Sequence, residues 1–92
     1  MKISWNSKGL RDLSRLYVFL EARSPLAAAK MIQRLSRAPD KLLVHSRLGE
    51  RLEGFGDDEV RRMLVDDYEI RYQIEGETIH ILRIWHSLEE HR

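Results

Sequence analysis

Cysteine is absent from the 92-residue chain, which excludes disulfides, thiolate zinc sites and cysteine nucleophiles and leaves packing to supply the stability. Proline occurs twice and glycine five times, too seldom for a low-complexity or collagen-like chain. Although 42% of the residues are hydrophobic, no run approaches the roughly 18 apolar residues of a membrane span. The N-terminus also lacks the apolar stretch of a secretory signal, so the expectation is a cytoplasmic protein without membrane association. His45, His80, His86 and His91 show no tight ligand spacing, and neither a metal nor an organic cofactor is expected.

What is present suffices for one modest core and therefore a single domain over residues 1–92. Charge is distributed unevenly. Met1 to Arg51 carries eleven Lys/Arg against four Asp/Glu, whereas Leu52 to Arg92 carries five against eleven. A basic half suits an acidic partner or nucleic acid, and equally a set of solvated helix faces.

Alternation of Ile3 and Trp5 with Lys2 and Ser4 predicts a strand over Lys2 to Trp5. Ser7 is expected to cap a helix from Lys8 to Ala22, whose Leu10, Leu13, Leu16, Tyr17 and Leu20 recur at three and four spacing. Ser24-Pro25 restarts the chain as a helix, because serine accepts from free amides at the cap and proline suits the first turn. Ala28, Met31, Ile32 and Leu35 form its apolar stripe, and Pro39 should end or kink it near Arg37.

Beyond Gly49 the periodicity becomes that of strands. Arg51 to Glu53 is expected to pair briefly before the loop Gly54-Phe55-Gly56-Asp57-Asp58. Val60 to Val65 follows, with Arg61 and Arg62 on opposite faces, so that at most one of them serves a given site. After Asp66-Asp67 turns the chain, Tyr68, Ile70, Tyr72 and Ile74 alternate with Glu69, Arg71, Gln73 and Glu75. Glu75-Gly76-Glu77 turns it again into Thr78 to Trp85, apolar on both faces as a central strand is. The predicted architecture is α+β: an N-terminal strand, an antiparallel helix hairpin and a C-terminal antiparallel β-meander. The helices pack on one face of an antiparallel or mixed sheet.

These segments carry a resemblance. Ser24-Pro25 with Ala27-Ala28-Ala29, Leu48-Gly49-Glu50-Arg51, Val60 to Val65, Tyr68-Glu69-Ile70-Arg71-Tyr72 and Ile81 to Ser87 follow one another as in the ParE/RelE toxins. The similarity covers nearly the whole chain. It implies a bicistronic operon, a cognate antitoxin that wraps the toxin into a hetero-oligomer, and a target in DNA topology or translation.

RelE-like members cut mRNA on the translating ribosome, using converging cations to stabilise the transition state and an acid or base to move protons. By that analogy Arg62 is the phosphate clamp, with His86 and Glu50 in proton transfer. Val60, Glu69 and Leu88 stand where those enzymes place further cations, and an acidic Glu69 opposes a phosphate. The Val-Arg-Arg, Tyr-Glu-Ile-Arg-Tyr and Arg-x-x-His strands are closer to ParE-like members, which poison DNA gyrase by binding. That resemblance makes Arg62, Arg83 and His86 the expected target contacts. A third class is a non-toxic antitoxin-binding module. Leu13, Leu16, Tyr17 and Leu20, with Trp85, are the candidate antitoxin footprint, the other readings being a homodimer seam or ordinary core.

Overall fold

The computed structural model describes residues 1–89. Strand β1 (Lys2–Trp5) leads into helix α1 (Ser7–Glu21) and helix α2 (Pro25–Arg37), which continues as a 3-10 helix at Ala38–Leu43. Four strands follow: β2 (Glu50–Arg51), β3 (Glu59–Val65), β4 (Tyr68–Glu75) and β5 (Thr78–His86).

Local chemistry accounts for most boundaries. The Ser24 hydroxyl accepts the Ala27 amide at 3.2 Å, and Pro25 opens α2 as expected. Pro39 lies just past the end of α2, where the chain tightens into the 3-10 turn. The expected cap at Ser7 is corrected: Asn6 occupies the cap position, with no side-chain cap bond, and Ser7 is the first helical residue. β2 is Glu50–Arg51, slightly earlier than the periodicity suggested, because pairing stops once the Leu52 amide has bonded the Val60 carbonyl at 2.8 Å. Asp66 takes a left-handed φ of 53° in the β3–β4 turn, a conformation that aspartate tolerates better than most residues.

The sheet order is β1-β5-β4-β3-β2. β2 to β5 form the antiparallel meander, but β1 joins β5 in parallel, from Lys2 opposite Thr78 to Trp5 opposite Ile81, which makes the whole sheet mixed. The helix pair covers one face. Beneath it Leu16, Leu35 and Leu42 pack with Met63, Ile70, Tyr72, Ile79, Ile81 and Ile84. Each such aliphatic side chain is worth roughly 1.5–3 kcal/mol when fully buried.

Tyr68 and Tyr72 are core residues. The Tyr72 hydroxyl, whose pKa burial raises, accepts the Gly49 amide at 2.9 Å and donates to the Ser46 carbonyl at 2.8 Å. It pins the segment before β2. Gly49 has to be glycine there, since a Cβ would lie 2.4 Å from the Arg62 carbonyl oxygen.

A β-bulge separates the two halves of β5. Arg71 of β4 faces Arg83, whereas Tyr72 faces Ile81, so β5 carries one extra residue at Leu82. Ile79 and Ile81 point into the helix-covered core. Uninterrupted alternation would send Arg83 and Trp85 the same way, but the bulge turns both to the open face and gives the core Ile84 instead.

Candidate functional site on the open sheet face

Strand register places Glu50, Arg62, Arg71 and Arg83 side by side across four strands: Glu50 opposite Arg62, Arg62 opposite Arg71, Arg71 opposite Arg83. On a pleated sheet such partners share a face. Of the residues singled out in the sequence, Glu50, Arg62 and Arg83 are therefore brought together. Arg71, the centre of the row, is the member that sequence reasoning misses, although its alternation with Tyr68, Ile70 and Tyr72 marks it as facing away from the core.

Every guanidinium in the row meets a carboxylate. Arg62 donates through Nε to Glu50 at 2.9 Å and through Nη1 to Glu69 at 3.2 Å, and these acceptors raise its pKa. Arg71 bonds the other oxygen of Glu69 at 3.2 Å. Arg83 donates through Nε to Asp12 of α1 at 2.8 Å, a hydrogen bond that raises its pKa. Arg71 and Arg83 also lie 4.6 and 4.9 Å from the Trp85 ring centre.

Asp12 does more than balance a charge. β1 stops opposite Ile81, which leaves the next part of β5 without a strand partner on that edge, β4 still pairing with it on the other. There Asp12 accepts the Ile84 amide at 2.8 Å, while Arg15 donates to the Ile84 carbonyl at 3.2 Å. Two helix side chains thus occupy the hydrogen-bonding positions of a missing strand. Burial alone would raise the Asp12 carboxyl, but the bonds from Arg83, the Ile84 amide and Arg15 outweigh it and hold the pKa below its ordinary value. Arg15 continues to Glu89, whose carboxylate accepts the His86 amide.

His86 does not join the row. It pairs with Tyr68 on the helix-covered face, its ring edge-on to the tyrosine at 5.0 Å, and Nδ1 accepts the Leu88 amide at 3.1 Å. Arg61 is likewise on that face, with its guanidinium spent on the Gly49 carbonyl at 2.7 Å and on Glu59. The expected antitoxin footprint also divides. Leu16 and Trp85 are 2% and 5% exposed and belong to the fold, so they are unavailable for docking. Leu13, Tyr17 and Leu20 are half-buried, and the apolar side chains that α1 presents to solvent are Leu10, Val18 and Phe19. Among the described residues no group of three or more His, Asp or Glu is arranged to hold a metal ion.

The family described as ParE toxin of type II toxin-antitoxin system, parDE, matches residues 3–91. The chain belongs to the ParE toxin family. Two curated relatives from Caulobacter vibrioides bear RelE names: Toxin RelE1 is 35% identical over 80 residues, 87% of this chain and 86% of its own, and Toxin RelE2 is 34% identical over 87 residues, 94% of each. A solved structure titled "Chromosomal ParDE TA system from P. aeruginosa" superposes with a TM-score of 0.80 at 24% identity, covering 94% of this chain and 95% of that one. At that identity the superposition speaks for the fold.

The protein is thus a toxin of a type II toxin–antitoxin system, in the ParE/RelE family, and its family implies a cognate antitoxin as partner. No described helix is long and apolar enough to cross a membrane.

Proposed function

We propose that this ParE-family toxin acts in the cytoplasm by binding, inhibiting DNA gyrase and so blocking replication, and that it does not cut RNA. The observation carrying this reading is the electrostatic state of the row. Arg62, Arg71 and Arg83 are each paired with a carboxylate from Glu50, Glu69 or Asp12. Cleaving a phosphodiester requires cations left free to meet developing negative charge and a proton-transfer group beside them. Here the carboxylates already occupy the guanidiniums, and His86 stands across the sheet from Arg62 and Glu50. Arg62 and Arg83 remain target contacts in this reading, and His86 supports the end of β5.

The antitoxin is assigned to α1, whose half-buried Leu13, Tyr17 and Leu20 adjoin exposed Leu10, Val18 and Phe19. That is the composition of a helix-in-groove surface. Ribosome-dependent mRNA cleavage is the second reading, favoured by the RelE names of the Caulobacter vibrioides relatives.

The test pairs a purified gyrase supercoiling and cleavage assay with an mRNA cleavage assay on translating ribosomes. Loss of supercoiling with trapped, cleaved DNA is the expected outcome. Codon-positioned mRNA cuts with gyrase untouched would overturn it.

A further inference from the structure

Phe55 is an aromatic residue that the fold holds out of its core. It sits at the tip of the β2–β3 loop between Gly54 and Gly56, whose φ values of 91° and 62° are left-handed. A Cβ on either glycine would meet nothing within 4 Å, so packing does not require glycine at these positions; the backbone path does. The Asp58 amide closes the turn on the Phe55 carbonyl at 3.1 Å. The residue remains 37% exposed, and its ring reaches over the open face to lie 5.7 Å from the Arg71 guanidinium carbon.

On the face beneath it the carboxylates of Glu69 and Asp12 lie behind their arginines, whereas Glu50, paired with Arg62 at the β2 edge, is itself exposed. The side chains of Arg71, Arg83 and Arg62 are 25%, 35% and 39% exposed, against 12% for Glu69 and 6% for Asp12. Arg71 lies between the Phe55 and Trp85 rings; among the described residues its ion pair is to Glu69, and its buried Nε has no hydrogen-bond partner. Leu64, opposite Glu69 on the same face, is exposed. Aromatic residues, phenylalanine included, and arginine are enriched at protein interfaces, and tryptophan, tyrosine and arginine most often concentrate the binding energy there.

From these observations we infer that Phe55 is the apolar anchor, and Arg71 the cation that exchanges its pairing with Glu69 for a partner's carboxylate, of the surface by which this protein engages its target, a protein surface with an apolar groove beside an acidic side chain. Nucleic acid fits poorly, because a polyanion is held by many unneutralised cations and this row carries its own carboxylates. The inference rests on the toxin reading but not on gyrase being the target.

The test therefore reads growth arrest on induction in a bacterial host, which requires no target to be named, alongside capture of a co-expressed cognate antitoxin. Phe55→Ala and Arg71→Gln are expected to need about thirty-fold more protein for the same arrest, the size of a lost hot-spot side chain. Antitoxin capture stays unchanged, both variants remain folded with only a modest fall in melting temperature, and Phe55→Tyr retains arrest. Full arrest by both variants overturns the inference, as does loss of antitoxin capture, which would give this face to the antitoxin. Tight binding of the wild-type protein to a short mixed-sequence DNA duplex or single-stranded RNA would overturn the choice of a protein partner. Arrest that depends on Phe55 while gyrase remains active would leave the anchor standing and remove gyrase as its target.

Discussion

The two faces of the sheet use the same strands for opposite ends. Under the helices, Ile70, Tyr72, Ile79, Ile81 and Ile84 are fully buried, and their contribution is removal of apolar surface from water. On the other face Glu50, Arg62, Arg71 and Arg83 line up in register, coupled by ion pairs that are partly open to solvent. Such pairs are weak stabilisers, because screening and side-chain entropy offset their attraction. Stability therefore resides mainly on the covered face, with Val60 and Trp85 the buried apolar side chains of the open one, whose ion pairs add little.

Truncation in the core tests this division most severely. Ile70→Ala is expected to cost about 2–5 kcal/mol, the range for a large-to-small change in a packed interior, read as a fall in the midpoint of urea unfolding. A loss no larger than that of a surface substitution would place the stabilising surface elsewhere.

Asp12 is the exception that sharpens the comparison, since it links the two faces through α1. Asp12→Asn keeps the shape but removes the charge that holds Arg83 and weakens the acceptor for the Ile84 amide, at an expected cost of about 1–3 kcal/mol. The sign of its pH dependence follows from its depressed folded-state pKa. The stabilisation is fully present above the unfolded value of roughly 3.9 and is lost as pH falls through the lower folded value. Unfolding midpoints measured from neutral pH into acid should fall less steeply for Asp12→Asn than for wild type. Parallel curves would show that Asp12 titrates as it does in the unfolded chain. Glu59, lowered chiefly by its hydrogen bond from Arg61, contributes slope of the same sign in both proteins.

The smallest effect on the fold is expected at Arg62, on the open face. Arg62→Ala should leave the melting temperature unchanged, because its ion pairs with Glu50 and Glu69 are solvent-screened. Toxicity is where its loss is expected to appear. A clear fall in melting temperature would make the row part of the structural frame.

Much of this was legible in the residues. Ser24-Pro25 announced α2 through cap chemistry, Tyr68 to Ile74 announced β4 by alternation, and the two hairpin turns followed from Asp66-Asp67 and Glu75-Gly76-Glu77. Three members of the row, Glu50, Arg62 and Arg83, were also readable, through resemblance. Arg71 was available from its strand face, and Phe55 from the glycines on either side of it, yet neither stood out as a ligand-binding residue type.

Local pattern alone determined which segments are helix or strand, where most of them end, and which half of the chain is basic. Such properties depend on neighbours a few residues apart, where cap bonds, fixed proline geometry and side-chain periodicity act. Tertiary structure alone decided that β1 runs parallel to β5, that a bulge at Leu82 turns Arg83 and Trp85 to the open face, and that His86 ends opposite the arginines. It also recruited Asp12, some seventy positions away in sequence, to stand in for a missing strand. These are matters of register between distant segments. A one-residue slip exchanges the two faces of a strand while leaving its own pattern unchanged.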